Sequence, residues 1–108
     1  MNQGDVYWHT FRAPDKRRPI LILTRDSVIP FLRSVTVAPI TSTIRGIPSE
    51  VILTPTEDGV ATECAVNTDN LQTIPKASLG GYITHLSLER LREVRAAIEF
   101  ALDFDSLT

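Results

Sequence analysis

Residues 17–43 read RRPILILTRDSVIPFLRSVTVAPITST, and this stretch decides the fold. It contains two apolar runs rich in Ile and Val, at residues 20–23 and 35–40, each bounded by proline and polar residues. Both runs are too short for a helix and are enriched in β-branched side chains. They are therefore predicted to be buried β-strands, joined by a loop in which Pro30 limits any helix to a single turn.

Charged and hydroxyl side chains stand where these two predicted strands meet their loops. Arg17 and Arg18 precede the first run, and Thr41, Ser42 and Thr43 follow the second. If the strands are neighbours in one sheet, guanidinium and hydroxyl groups meet on one surface. Arginine presents a fixed fork of donors that matches phosphate oxygens, and a hydroxyl can donate to a developing oxyanion. The pattern predicts a site that handles phosphate.

Outward from this stretch, short strand-like runs alternate with turns. Strands are predicted over residues 6–11, 18–24, 34–41, 50–53, 62–68 and 70–74. Residues 75–81 are predicted to be a connection. Pro39 lies inside the third of these strands, which indicates an edge strand or a bulge, because proline cannot donate to a neighbouring strand.

The C-terminal segment shows helical periodicity. Ser87 is a predicted N-cap, and Glu89 falls in the first turn. The apolar residues recur at spacings of three and four and form one stripe, made of Leu88, Leu91, Val94, Ile98, Ala101 and Leu102. We expect this stripe to pack on the sheet. The predicted fold is mainly β with α, a small bent sheet or barrel of five to seven strands closed by a C-terminal helix.

Length and composition bound the class of protein. A chain of 108 residues that is 43% hydrophobic predicts a single domain, residues 1–108, with a core of ordinary size. No apolar run approaches the roughly 18 residues that span a bilayer, and no secretory signal is recognisable, so no membrane contact is expected. Cys64 is the only cysteine. It is predicted to be a small buried side chain in a reducing cytoplasm.

The charge is unevenly distributed along the chain. Residues 1–50 contain seven Lys/Arg and four acids, whereas residues 51–108 contain four Lys/Arg and nine acids. Four of the bases, Arg12, Lys16, Arg17 and Arg18, fall within seven residues. A basic half predicts an anionic partner, although scattered surface charge is the alternative explanation.

Several kinds of site are excluded by the absence of their motifs. His9, His85 and Cys64 do not have the spacing of a zinc site, the glycines fit neither nucleotide-binding pattern, and no carboxylate cluster suggests a two-metal nuclease. A site without metal or cofactor, built from arginine and hydroxyls, suits RNA, whose own 2′-OH is a nucleophile. Arginine stays protonated, so the general base is not assigned.

Four ordered segments carry a resemblance to a known family. They are GDVY at residues 4–7, RPILIL at 18–23, VAPITS at 37–42 and DNLQTI at 69–74, followed by the closing helix. From residue 4 to about residue 104 the chain resembles the MazF/PemK family of toxin endoribonucleases. The resemblance implies an SH3-like barrel, a homodimer, and metal-independent, sequence-selective cleavage of single-stranded RNA that leaves a 2′,3′-cyclic phosphate and inhibits translation. It also implies a MazE-like antitoxin that covers the RNA groove.

The resemblance assigns roles to individual residues. The family's catalytic arginine, in its Arg-Pro motif, falls on Arg18, and its catalytic hydroxyl, in the Pro-x-Thr stretch, falls on Thr41. The predicted substrate-binding residues are Arg17, Ser42, Thr43, Arg12, Lys16 and Asn70. The chain departs from the family in two places. The loop before Arg18 is short and lacks a glutamate, which leaves Asp15 as the nearby acid, and Asn70 stands where the family often has Gln.

Alternative roles stay open for these residues. Arg18 has an alternative as a surface ion pair with Asp5 or Asp15, and Thr41 as a strand-end hydroxyl bonded to its own backbone. The aromatic and loop residues whose contact with RNA is open are Trp8, Phe11, Phe31 and Arg33. Two other classes of protein share the barrel. A gyrase-poisoning toxin would need a Trp-Gly-Ile tail, whereas this chain ends DSLT, and a non-catalytic barrel would bind RNA or protein without cleaving it.

Overall fold

The computed structural model describes residues 1–10 and 17–107 and shows one antiparallel sheet with a C-terminal helix. Its strands are β1 (Asp5–Thr10), β2 (Arg17–Ile22), β3 (Ser34–Thr41), β4 (Glu50–Leu53), β5 (Cys64–Asn67), β6 (Gln72–Pro75) and β7 (Leu79–His85). Its helices are α1 (Pro55–Asp58) and α2 (Leu88–Leu102). The predicted mainly-β architecture with a closing helix is confirmed. In the part of the chain that is described, no helix is long and apolar enough to cross a membrane.

Strand β3 is the centre of the sheet. The strand order is β4-β5-β3-β2-β1-β7, and β6 pairs separately with the first half of β3. Of the two alternatives predicted from Pro39, an edge strand or a bulge, the edge strand is therefore wrong. On the side of β3 that faces away from β2, the partner strand changes. It is β6 up to Val37, and β5 from Ile40 onward. Pro39 lies at this junction, where a missing N–H donor is tolerated.

The two strands of the opening stretch are buried on both faces. Alternate residues point to opposite faces of a strand, so Leu21 and Ala38 enter one apolar cluster while Ile20, Ile22 and Val37 enter the other. The first cluster lies between the sheet and α2 and includes Leu53, Val66, Leu86, Val94 and Ala97. Burial on both faces explains why β2 and β3 read as continuous apolar runs rather than as alternating ones.

Strand β7 is absent from the sequence prediction, which treated residues 75–81 as a connection. The strand pairs with β1, with Val6 opposite Thr84 and His9 opposite Leu79. Gly80 misled the prediction, because glycine usually signals a loop. Here a Cβ on Gly80 would lie 3.2 Å from the Cβ of Trp8, so glycine permits the close approach of the two strands.

Helix α2 begins as predicted, with the Oγ of Ser87 accepting a hydrogen bond from the backbone N–H of Arg90 at 3.2 Å. Fewer residues of α2 are buried against the sheet than the predicted apolar stripe implies. Val94 is buried, as is Ala97, which the stripe did not include. Leu88 and Leu102 are 64% and 50% exposed, so their predicted core positions are wrong. The sheet covers the middle of the helix and leaves the apolar residues at both ends in solvent.

A buried ion pair joins the two helices. The Nε of Arg90 donates to Oδ1 of Asp58 at 3.0 Å, and the Asp58 side chain is 1% exposed. The other carboxylate oxygen of Asp58 accepts from the backbone N–H of Thr54 at 2.8 Å. The hydrogen bond to Asp58 raises the pKa of Arg90 above its ordinary value. The pair fixes α1 against α2 and, with it, the loop that follows α1.

Candidate active site

The ends of β2 and β3 meet because of their register. Ile20 is opposite Pro39 and Leu21 is opposite Ala38, so continuing the same register brings Arg18 and Thr41 to the same end of the two strands. Both residues line one open cleft of about 420 Å³. Its lining is Trp8, Arg17, Arg18, Pro19, Ile40, Thr41, Ser42, Thr43, Ala61, Thr62, Cys64 and Ile83. The predicted meeting of guanidinium and hydroxyl groups is therefore present in the structure.

The two arginines of the cleft are held differently. The Arg17 guanidinium lies over the Trp8 ring, with its Cζ 4.3 Å from the ring centroid, which is a cation–π contact. Arg18 is exposed and forms no ion pair with any described residue. The alternative in which Arg18 pairs with Asp5 is not seen, because Asp5 binds His85 and the backbone N–H of Asn2. The alternative pairing with Asp15 lies outside the described residues, and no partner within them occupies the Arg18 guanidinium.

The hydroxyl groups of the cleft come from the last residue of β3 and the two residues that follow it. The Oγ1 of Thr41 accepts a hydrogen bond from the backbone N–H of Thr43 at 3.1 Å. The backbone contact considered as an alternative for Thr41 thus exists, but it uses only a lone pair and leaves the hydroxyl proton for donation. Ser42 and Thr43 are exposed beside it. The backbone bond orients the Thr41 side chain before any ligand arrives.

The remaining lining of the cleft comes from segments that the sequence analysis did not assign to the site. Ala61 and Thr62 lie in the loop between α1 and β5, and Cys64 begins β5. Ile83 comes from β7, the strand that was not predicted. Burial, and next the negative charges of Asp58 and Glu63, raise the pKa of the Cys64 thiol, so at neutral pH it remains a protonated, weak nucleophile.

Other predicted residues lie elsewhere. Asn70 belongs to the turn Thr68–Asn70, is exposed and does not line the cleft. Arg12 and Lys16, like Phe11 and Asp15, are outside the described residues, so their predicted roles stay predictions. Phe31 and Arg33 are exposed near the start of β3, at the end opposite to the cleft.

Neither histidine lines the cleft. His9 is buried, with its Nδ1 3.3 Å from the backbone oxygen of Ser78, and His85 places Nδ1 2.8 Å from Oδ1 of Asp5. No three of His, Cys, Asp and Glu come together as metal ligands within the described ranges. The described lining of the cleft contains no carboxylate and no imidazole. What it offers a ligand is positive charge, hydroxyl donors and an aromatic ring.

A cleft lined by arginines and hydroxyls, on a small antiparallel sheet closed by a helix, defines a mainly-β protein with a surface suited to phosphate groups. Residues 2–102 match the family described as the PemK-like, MazF-like toxin of type II toxin–antitoxin systems. The chain belongs to this family, which confirms the resemblance stated from the sequence.

Individual relatives agree with the family match. The chain is 41% identical over 101 residues to the probable endoribonuclease MazF5 of Mycobacterium tuberculosis, covering 94% of this chain and 92% of the relative. It is similar in structure to the Mycobacterium tuberculosis toxin MazF-mt6, with a TM-score of 0.83, 40% identity and coverage of 92% and 96%. An endoribonuclease in complex with its cognate antitoxin, from a mycobacterial species, gives a TM-score of 0.85 at 26% identity, with 96% of each chain covered.

Proposed function

We propose that this chain cleaves single-stranded RNA in the cleft between β2, β3 and the 59–63 loop, as the toxin of a type II toxin–antitoxin pair. Its relatives are named endoribonucleases, and the chain is an endoribonuclease toxin of the same family. The observation that supports the proposed site is that Arg18 and Thr41 line the same cleft: no described residue pairs with the Arg18 guanidinium, and a backbone hydrogen bond orients the Thr41 hydroxyl. We expect cleavage at a preferred RNA sequence, with loss of translation as the consequence.

The chemistry is an in-line displacement at phosphorus. The 2′-oxygen of the ribose attacks the adjoining phosphorus, the bond from phosphorus to the 5′-oxygen breaks, and a 2′,3′-cyclic phosphate and a 5′-OH result. The 2′-OH loses one proton and the 5′-oxygen gains one. Arg18 stabilises the added negative charge on the phosphoryl oxygens, and Thr41 donates its hydroxyl proton to one of them. No metal or cofactor is needed for these roles.

The proton transfers have no assigned carrier among the described lining residues. The Cys64 thiol is held protonated by its raised pKa, and both histidines lie away from the cleft. Asp15, three positions before Arg18 in the sequence, is the nearby acid noted from the sequence and lies outside the described residues, so the general base stays unassigned. Arg17, Ser42 and Thr43 bind the RNA backbone beside the reacting phosphate.

The partners of the chain follow from the same surface. A positively charged, open cleft also suits an acidic antitoxin segment of the MazE kind, which orders on binding and blocks the entry of RNA. The structurally similar mycobacterial endoribonuclease is described in complex with its cognate antitoxin. The working form is a cytoplasmic homodimer that carries two clefts, and sedimentation of the free toxin tests its size.

The decisive experiment separates attack by the 2′-OH from attack by water. Purified protein is incubated with a single-stranded RNA and with the same RNA carrying a 2′-deoxy nucleotide at the cleaved position. Only the all-ribose RNA should be cut, with a cyclic phosphate and a 5′-OH at the new ends, and excess EDTA should not slow the reaction. Cleavage of the deoxy substrate, or loss of activity in EDTA, would contradict the mechanism.

The same experiment addresses the alternative classes of protein. A non-catalytic barrel would bind the RNA and leave it intact, and a gyrase poison would leave RNA intact while trapping broken DNA. The endoribonuclease names of the relatives do not favour either alternative.

A further inference from the structure

We infer that Thr62 reads a base edge next to the scissile phosphate and is a determinant of RNA sequence preference. This inference rests on the proposed function, because it concerns the same cleft. The site-defining strands, β2 and β3, explain the reaction at phosphorus but leave the 59–63 loop without a role. That loop places Ala61 and Thr62 in the cleft lining.

The order of the strands separates this loop from the phosphate. In the sheet β5 lies next to β3, and β2 lies on the other side of β3. Neighbouring strands are about 4.8 Å apart, so the loop that enters β5 is on the order of 10 Å from the β2 arginines. A phosphate held between Arg18 and Thr41 lies on the β2 side of the cleft. Thr62 therefore faces the part of the nucleotide that extends away from the phosphate.

The surroundings of Thr62 suit a base rather than an anion. Ala61, Cys64 and Ile40 contribute apolar surface to the same lining, and Glu63 brings a negative charge into the loop. An apolar surface contacts the flat face of a base, whereas a phosphate next to Glu63 would be repelled. The Thr62 hydroxyl has no hydrogen-bond partner among the described residues, so it can donate to or accept from a base.

Both ends of the 59–63 loop are held in place by specific contacts. Gly59 has φ 72°, and a Cβ there would lie 2.7 Å from Oγ1 of Thr84, so only glycine fits its start. Thr84 donates through Oγ1 to the backbone oxygen of Asp58 at 2.9 Å, and Asp58 is fixed by Arg90. Val60 and Cys64 are buried on either side of the three exposed residues 61–63. Fixed ends hold Thr62 at a defined place, which sequence readout requires.

The test compares cleavage patterns rather than total activity. Wild type and Thr62→Val cut an RNA pool with random sequence, and sequencing of the new ends gives the base preference at each position around the cut. Valine has nearly the shape of threonine without the hydroxyl. Losing one hydrogen bond should reduce discrimination at one position next to the cut by about five- to tenfold, while the other positions keep theirs.

Three variants control the comparison. Thr62→Ser keeps the hydroxyl and should restore the preference. Thr56→Val changes an exposed threonine of α1 that lies outside the cleft and should leave the preference as in wild type. Thr84→Val removes the hydrogen bond that holds the start of the loop. It should reduce the base preference at the same position as Thr62→Val does.

Two results would overturn the inference. In one, Thr62→Val keeps the wild-type preference at every position. In the other, it slows the cleavage of all sequences equally, which would mean that the side chain supports the loop without reading a base. Failure of the proposed function has a different signature, because the wild-type protein would then cut nothing in the pool.

Discussion

Arg18 is the residue of the cleft to which the proposed mechanism assigns the largest stabilisation of negative charge. In the proposed mechanism it stabilises a dianionic phosphorus centre, and no described acid neutralises it in the free protein. Arg17, one position earlier, is partly engaged by the Trp8 ring. We therefore expect different roles for the two neighbours: Arg17, held against Trp8, binds the RNA, and Arg18, which no described residue pairs, stabilises the charge that develops during the reaction.

Replacing Arg18 by alanine should lower kcat by about 10²- to 10³-fold, because one donor to the developing charge is lost. Arg18→Lys keeps the charge but not the fork of donors and should recover only part of the rate. The measurement is single-turnover cleavage of a short RNA, with Arg92→Ala as the matched control on the exposed face of α2. A wild-type rate in Arg18→Ala would remove this residue from the mechanism.

Thr41→Ala should also reduce the rate of cleavage, while Thr41→Ser retains most of it. The affinity for RNA that is blocked by a 2′-deoxy nucleotide should change little in either variant, since Arg17 and Arg18 remain. Cleavage and affinity are measured on the same protein samples, after circular dichroism has shown the wild-type fold. If alanine and serine give equal rates, the hydroxyl does not take part in the reaction.

Cys64 should be chemically inert although it lines the cleft. Burial raises the pKa of its thiol, and the thiolate is the reactive form. We expect alkylation by iodoacetamide at pH 7.5 to be about tenfold slower in the folded protein than in urea. Mass spectrometry follows the modification over time. Equal rates in the folded and unfolded states would show that the thiol is accessible and that its pKa is not raised.

At the residue scale, the sequence alone identified about half of the residues that line the cleft. Arg17, Arg18 and the Thr41–Ser42–Thr43 run were predictable because they stand at the ends of two strands with clear hydrophobic patterns. Thr62 and Ile83 were not predictable, because they belong to a loop and a strand that are distant in sequence from β2 and β3 and join the cleft only in the folded chain. Nothing in their local sequence distinguishes them from ordinary loop and strand residues.

At the scale of elements, glycine and proline caused the errors in strand prediction. Gly80 and Gly81 broke the pattern of β7, although Gly80 is there to let the strand approach Trp8. Pro39 indicated an edge but lies in the central strand, where β3 changes partners. The place of each residue in the fold depends on a neighbouring strand that is distant in sequence. The runs in β2, β3 and β4 and the start of α2 were predictable because their signals are local.

The α1–α2 contact offers a stability test at the same scale. Asp58→Ala removes a buried carboxylate and leaves Arg90, whose side chain is 17% exposed, without its main partner. We expect a loss of about 3 kcal/mol in the free energy of unfolding, measured by urea denaturation. The control is Arg95→Ala, which breaks the exposed Arg95–Glu99 pair and should cost less than about 1 kcal/mol. Similar losses in both variants would mean that burial does not strengthen the Asp58 pair.

For the whole molecule, the position of charge matters more than its sum. The formal net charge is −2, yet the cleft presents two arginines and no described acid. The acids of the second half are instead used around α1 and α2, where Glu57, Asp58 and Glu93 surround Arg90. An acidic protein can therefore still attract RNA to one surface.

The same localised charge predicts that RNA and antitoxin exclude each other. An acidic, largely disordered antitoxin segment that orders over the cleft would take the positions of the RNA phosphates at Arg17 and Arg18. RNA affinity should fall steeply with salt, with a log–log slope that becomes shallower by about 0.7 for each phosphate-binding arginine replaced by alanine. The measurement titrates fluorescent RNA, blocked by a 2′-deoxy nucleotide, with the cognate antitoxin peptide. We expect complete displacement of the RNA, with the toxin still folded by circular dichroism. A stable ternary complex of toxin, RNA and peptide would show that the antitoxin inhibits from another surface.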